Sequence, residues 1–257
     1  MKNIFSLYKP VGMTPLQSIL QLKENRPEYE KEKLSYAGRL DPMADGLLLI
    51  LVGDENKKRQ QYEQLEKEYV FSVLFGLRSD SYDLLGIPRL QKNAPLAKAE
   101  MSALAMYLPT CVGTFSQPFP PFSSKNVRGK PLYYWAREKK LDSITIPSKT
   151  ISIFSLRKES ETVLFAKDVL KRITTILPSI NGRFRQEEIL SSWNSLLKDN
   201  NHGQFSLITF SLSCSSGTYV RTIANQLGEY LKTGALAFSI TRMRVGPFTI
   251  DDCITYN

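Results

Sequence analysis

The run Gly46-Leu47-Leu48-Leu49-Ile50-Leu51-Val52 is apolar throughout and follows directly on a loop rich in glycine, proline and aspartate, Gly38 to Asp45. So short and uniform a segment has no polar face to offer water, so it reads as a strand buried on both sides. It needs packed structure on each face, and 257 residues can supply that as one large domain or two small ones. Elsewhere the pattern is amphipathic. Asn3 to Tyr8 reads as a short strand ending at Lys9-Pro10, and Thr14 as an N-cap with Pro15 at the first helical position. Ile19 and Leu22 continue that helix until Pro27. A loop from Ser35 to Asp45 leads into the buried strand, and Asp54 is placed to cap a second helix rich in Lys, Gln and Glu.

Glu68 to Leu77 alternates, with Tyr69, Phe71, Val73 and Phe75 on one face. Ala94 to Leu108 reads as a helix. Ala166 to Leu177 and Arg185 to Lys198 are amphipathic helices, the second with a stripe of Ile189, Leu190, Trp193, Leu196 and Leu197. Phe205 to Cys214 alternates, with Ile208, Phe210, Leu212 and Cys214 on one face. A helix starting at Gly217-Thr218 carries Val220, Ile223, Ala224, Leu227 and Leu231, and a final strand runs near Arg242 to Ile250. Strands and helices mix without a regular β-α-β rhythm, which gives the class α+β.

Composition narrows the chemistry. The formal net charge of +9 favours a polyanionic partner, with nucleic acid foremost. From Ser116 to Lys140, Lys125, Arg128, Lys130, Arg137, Lys139 and Lys140 interleave with Phe122, Tyr133, Tyr134 and Trp135. Cations neutralise phosphates and aromatic faces stack on unpaired bases, although the same aromatics serve equally well to face a core. Cys111, Cys214 and Cys253 are too scattered for a disulfide framework or a metal site, and the one histidine, His202, lies in a polar turn-like stretch. No stretch approaches the roughly 20 apolar residues of a membrane span, and the start of the chain lacks the apolar region of a signal peptide. A cytoplasmic protein is expected.

Three segments offer reactive groups. Asp41 sits in the glycine- and proline-bounded loop, anchored yet able to reach the surface, as suits a catalytic carboxylate; Asp before Pro is also a routine turn former. Arg221 lies in the first turn of a helix, where the dipole disfavours a cation, and off the apolar stripe. That misplacement hints at a carboxylate partner or else at a simple exposed side chain. Tyr69 leads the aromatic strand face. One carboxylate, one Arg and one Tyr on a basic chain suit chemistry on a nucleotide that needs a nucleophile or base and a held substrate.

Six motifs in register carry a resemblance. Lys9 to Thr14, Gly38 to Gly46, Phe75 to Ser81 with Asp83 and Gly86, Gln117 to Ser123, Ser215 to Thr222 with Gly234-Ala235, and Arg242 to Phe248 together resemble the TruB family of tRNA pseudouridine-55 synthases. The resemblance implies a single catalytic domain over 1–257, built on a central, mainly antiparallel sheet flanked by helices, with the active-site cleft across it. Asp41 would be the catalytic aspartate, attacking ribose C1′ or promoting a glycal, with Arg221 paired to it. Tyr69 would stack on the target base and could take part in removing the C5 proton. Tyr219 and Ile240 would line the uracil pocket, Arg39 and Leu40 would flank Asp41 in the substrate site, and Lys9 and Pro10 would support the loop. The uridine of the tRNA T-stem-loop would be flipped out. No cofactor or metal is implied, and a monomer is expected. A pseudouridine synthase for ribosomal RNA, or an RNA-binding protein without catalysis, are the alternatives.

Two departures from the family pattern stand out. Many members carry a histidine where this chain has Tyr36, which can stack on a base but cannot become cationic. The chain stops soon after Phe248, so the small RNA-binding PUA domain usual in bacterial members is expected to be missing. A thumb-like RNA-binding loop is expected at about 116–142 and a helical insertion at about 166–201, which either compensates for that domain or caps the sheet.

Overall fold

The computed structural model describes residues 3–180, 182, 184–198 and 202–256. Its first half runs β1 (Ile4–Lys9), α1 (Pro15–Asn25), β2 (Leu34–Ala37), β3 (Asp45–Val52), α2 (Arg59–Glu63), β4 (Lys67–Phe75), the small hairpin β5 (Leu77–Ser79) and β6 (Pro88–Leu90), α3 (Lys98–Tyr107) and β7 (Gly113–Pro118). The second half runs β8 (Asn126–Val127), β9 (Lys130–Pro131), α4 (Leu132–Arg137), β10 (Ser148–Phe165), α5 (Ala166–Ile176), α6 (Gln186–Lys198), β11 (Gln204–Cys214), α7 (Val220–Tyr230), β12 (Ala235–Val245) and β13 (Phe248–Thr249).

One sheet in the order β1-β3-β12-β4-β11-β10-β7 organises the protein, with β2 paired to β3 and β13 to β12. Every pairing is antiparallel except β3 with β12, which is parallel and limited to Thr241 with Asp45 and Arg242 with Gly46. The α+β reading holds. Leu47 to Leu51 have no solvent exposure, as the apolar run requires, because clusters of side chains pack on both faces of β3. The faces read from alternation also hold: Tyr69, Phe71, Val73 and Phe75 share one cluster with Ile208, Phe210, Leu212 and Cys214.

Several boundaries differ for physical reasons. Leu34–Ala37, expected as part of a loop, is a strand because it pairs along β3 from Val52 to Leu49. Asp54 caps no helix: it lies inside the 3-10 turn Gly53–Lys58 and its carboxylate pairs with Lys57 at 2.7 Å. The helix expected from Ala94 begins only at Lys98, where Glu100 accepts from the Ala97 amide at 2.6 Å. Ser116 to Pro118 are not loop but the end of β7, paired with β10. The last long strand starts at Ala235, well before Arg242, because small Ala235 packs directly against Gly228 of α7. The longest strand, β10, alternates only in its inner part, where Ile151 and Ile153 are buried; Arg157 to Thr162 is polar and exposed, and pairing with β11 holds it extended.

Gly46 makes the β3–β12 seam possible. Its φ is +102°, and a Cβ there would lie 2.5 Å from the Arg242 carbonyl oxygen and 2.7 Å from the Arg242 nitrogen. Gly46→Ala combines a left-handed backbone with a main-chain clash, so a loss of at least about 2 kcal/mol is expected in urea unfolding. An unchanged midpoint would contradict this close seam.

Candidate active site

The loop carrying Asp41 leaves the sheet at this seam. Arg242, 1% exposed, holds the loop from below: its Nε donates to the Leu47 carbonyl at 2.7 Å, Nη1 to Arg39 at 3.1 Å and Nη2 to Gly38 at 3.3 Å. The Gly12 amide donates to the Pro42 carbonyl at 2.8 Å, and the Ala44 amide closes a turn on the Asp41 carbonyl at 3.0 Å. Asp45 accepts from Tyr8 at 2.9 Å and Thr241 at 2.6 Å, which ties β1 and β12 to the loop's end.

Lys9 is wholly buried beneath this loop rather than facing the cleft. Its amine donates to the carbonyls of Pro10 at 2.8 Å and Met13 at 2.9 Å. Burial pushes the group down to about 7, although Asp41 and Asp45 pull the other way. A neutral amine has two N–H donors, matching the two carbonyls; an ammonium would leave a third unmatched among these.

Asp41 meets Arg221, the pairing that the resemblance implies. The Nε of Arg221 donates to Asp41 Oδ2 at 2.7 Å, Nη1 to the Ser81 carbonyl at 2.8 Å and Nη2 to the Phe122 carbonyl at 3.3 Å. Arg221 is 3% exposed, so the exposed alternative is excluded. A second carboxylate, Asp83, lies 3.5 Å from the same Nε on the buried side. Burial pushes Asp83 up to about 6, against the opposing pull of Arg221 and of the Ser81 hydroxyl that donates to it at 2.5 Å. One guanidinium thus sits between a part-exposed and a buried carboxylate.

A cleft of about 710 Å³ opens above this group. Asp41, Arg39 and Leu40 line its floor, Tyr69 and Ile240 come from the sheet, and Tyr36 and Tyr219 stand at its sides. Burial pushes the Tyr69 phenol up to about 12. Tyr219 is fixed by a reciprocal pair: its amide donates to Gln117 Oε1 at 2.8 Å, and Gln117 Nε2 donates back to its carbonyl at 3.2 Å. Arg59 lies 5.2 Å over the Tyr36 ring, so a cation accompanies the tyrosine although the tyrosine itself cannot carry one. An adjoining cavity of about 360 Å³ shares Asp41 with the cleft and contains Asp83 and Arg221. Among the described residues no cluster of His, Cys, Asp and Glu could hold a metal ion, and no helix is long and apolar enough to cross a membrane.

The basic, aromatic segment after β7 is divided between core and cleft. Leu132 is buried, while Phe122 and Tyr133 face the cleft. Its cations cover its own rings: Lys130 lies 4.0 Å over Tyr134 and Lys125 lies 5.3 Å over Phe119. Three site residues escaped sequence reasoning as functional groups. Asp83 resembles one more turn residue in Asp80-Ser81-Tyr82-Asp83. Arg242 has a detectable signal, a charge two residues after Ile240 on the inward face of a strand. Lys67 lines the cleft and is pushed down to about 8 by burial and by Arg242, with its amine on the Glu63 and Leu65 carbonyls at 2.6 and 2.5 Å.

Comparison with known proteins follows the same outline. Residues 26–168 match the family described as TruB family pseudouridylate synthase (N terminal domain). The chain is 30% identical over 258 residues to tRNA pseudouridine synthase B of Lactiplantibacillus plantarum, covering 100% of this chain and 70% of that protein. It is 28% identical over 254 residues to tRNA pseudouridine synthase B of Bacillus licheniformis, covering 99% and 68%. Among solved structures, a chain from the crystal structure of a Cbf5-Nop10-Gar1 complex superposes with a TM-score of 0.57 at 17% identity, and one from the archaeal box H/ACA sRNP Nop10-Cbf5 complex with 0.55 at 16%. Both matches cover 98% of this chain but only 51% of the solved chain, so this chain spans about half their length. At these identities the likeness is one of fold.

Two titrations test the buried charges. Replacing Arg221 by Met strands Asp83 without its cation, which is expected to cost about 3 kcal/mol or more near pH 8. Asp83 is raised in the folded protein, so its protonated form is favoured there. The loss should therefore shrink at pH 5, and an equal loss at both pH values in urea melts would contradict the assignment. Lys9 is depressed from 10.5 in the unfolded chain to about 7 in the folded one, so unfolding takes up a proton between those values. Wild-type stability relative to Lys9→Met is expected to rise as pH goes from 7 to 10; a flat difference would show a charged Lys9.

Proposed function

Because this chain belongs to the TruB family of pseudouridylate synthases, we propose that it isomerises uridine to pseudouridine in the T loop of tRNA, with Asp41 as the catalytic aspartate. The observation that carries the reading is the Asp41 carboxylate, oriented by Arg221 at 2.7 Å and opening onto a cleft that also contains Tyr69 and Ile240.

A uridine flipped out of its loop would place its ribose over Asp41 and its base between Tyr69, Ile240 and Tyr219. The reaction breaks the N1–C1′ bond, turns the uracil in the pocket and forms C5–C1′, with the C5 proton lost and N1 regaining one. No oxidant or reductant enters. Asp41 would act either by attack on C1′ or by drawing a ribose proton to give a glycal, and its fixed orientation serves both. The Tyr69 phenol, pushed up to about 12, keeps its proton at neutral pH, which favours stacking on the base over direct removal of the C5 proton. Arg39, Lys149 and Arg59 around the cleft supply cations for the phosphates of the loop.

The test is tritium release from C5-tritiated uridine in a T-stem-loop transcript. Wild type is expected to release tritium in step with pseudouridine formation, and Asp41→Asn to release none while still binding the RNA. Release from ribosomal RNA fragments but not from the T-stem-loop would overturn the substrate assignment. Equal release by Asp41→Asn would overturn the role of Asp41.

A further inference from the structure

The antiparallel neighbours β10 and β11 are joined not by a tight turn but by the helices α5 and α6. Their apolar faces bury Val169, Ile173, Ile189 and Trp193 in a cluster shared with Leu74, Phe205 and Leu236 of the sheet. Capping the sheet would explain that cluster, but not where the polar groups of this helical pair go. Trp193 Nε1, fully buried, points at the carbonyls of Leu84 and Gly86, at 3.2 and 3.1 Å. Ser179, just after α5, lies so close to Gly12 that a Cβ there would strike its side chain. Arg185, just before α6, donates to both oxygens of Asp80 at 2.9 and 3.3 Å, and its guanidinium lies 4.4 Å over the Phe122 ring. All three attachments land on loops that hold the Asp41–Arg221 pair.

The Arg185 attachment is the most direct. Arg221 is gripped by two carbonyls, those of Ser81 and Phe122. Arg185 grips the residue before the first, Asp80, and the ring of the second. It does so from a left-handed backbone, φ +60°, which a non-glycine residue adopts only when its surroundings require it. Its side chain is 20% exposed, and it lines the smaller cavity behind Asp41 together with Phe184. Asp80 is held on its other side by accepting from the Ile87 amide at 2.8 Å.

We propose that the α5–α6 pair is a brace for the catalytic centre, and that Arg185 is a positioning residue that locks the Phe122 segment to the Asp80–Asp83 loop and so fixes Arg221 and, through it, Asp41. The planar fork of an arginine suits this position, since one face can stack on a ring while the edge pairs with a carboxylate. The proposal rests on the isomerase reading above and deepens it. A group that only contacted RNA would affect binding. A group that positions Asp41 affects the chemical step, because misplacement of about 1 Å can cost on the order of a hundredfold in rate.

The experiment compares single-turnover pseudouridine formation with the equilibrium affinity for the same T-stem-loop RNA, using the full chain. Arg185→Ala is expected to lower the saturated rate about 10- to 100-fold and leave Kd unchanged, with Arg185→Lys recovering part of the loss. Phe122→Leu removes the stacking face but keeps the ion pair, and should show a smaller loss of the same kind. The double variant should be no slower than Arg185→Ala alone, since both substitutions cut one strut. A wild-type saturated rate in Arg185→Ala, or a raised Kd with that rate retained, would overturn the brace. If Arg185→Ala does not fold, Phe122→Leu and Arg185→Lys decide by the same split. Wild-type protein that forms no pseudouridine in any RNA would overturn the isomerase reading itself, whereas active wild type with unimpaired variants would overturn only the brace.

Discussion

A single guanidinium, that of Arg221, joins the parts of the candidate site. It reaches Asp41 on the β3 loop, Ser81 and Asp83 on the loop after β5, and Phe122 on the segment that leaves the sheet after β7. Those segments are far apart in the chain: the first two are brought together because β3, β12 and β4 lie side by side, and the third returns to them from β7 at the edge of the sheet. A buried arginine with one neighbour would be a liability, since desolvation costs more than one contact returns. With two carboxylates and two carbonyls around it, the cation has acceptors and opposite charge within reach, and all three of its nitrogens have defined directions. The sheet order therefore matters to the chemistry because it sets where Arg221 can point.

The surroundings carry other charges in places unfavourable for stability alone. Lys9 and Arg242 are buried under the Asp41 loop, Lys67 lies at the edge of the cleft, and Asp83 sits behind Arg221. Each is bonded to backbone carbonyls, a hydroxyl or an opposite charge, so few partners are left unmatched. Such groups make a stiff support, because moving any of them exposes an unpaired polar atom to an apolar interior. Burial shifts Lys9, Lys67 and Asp83 toward their neutral forms, which limits the charge packed against the Arg221 and Arg242 guanidiniums.

Much of this was legible in the sequence where a local rule was either obeyed or broken. The uniform apolar run foretold β3, and alternation foretold the apolar face of β4 and that of β11, which the fold joins in one cluster. Arg221 stood out because a cation in a first helical turn goes against the dipole. Asp41 was ambiguous alone and gained meaning from the motifs around it. The unread parts depend on partners distant in the chain. Asp83 looks like a turn residue until Arg221 is placed beside it, and the Arg157 to Thr162 stretch of β10 looks like a polar loop until β11 pairs with it. Arg185 carries no local signal at all: its role emerges only when α5 and α6 fold back against the loops near Asp41.

The most direct test of the central idea, that the directed bonds of Arg221 and not merely its positive charge prepare Asp41, is the saturated single-turnover rate of Arg221→Lys. Lysine keeps the charge as a point but cannot reach Asp41, Ser81 and Phe122 in three fixed directions at once. A rate reduced by orders of magnitude, with RNA affinity intact, is the expected result. A rate close to wild type would mean that a nearby positive charge suffices, and that the geometry described around Arg221 is not what makes Asp41 competent.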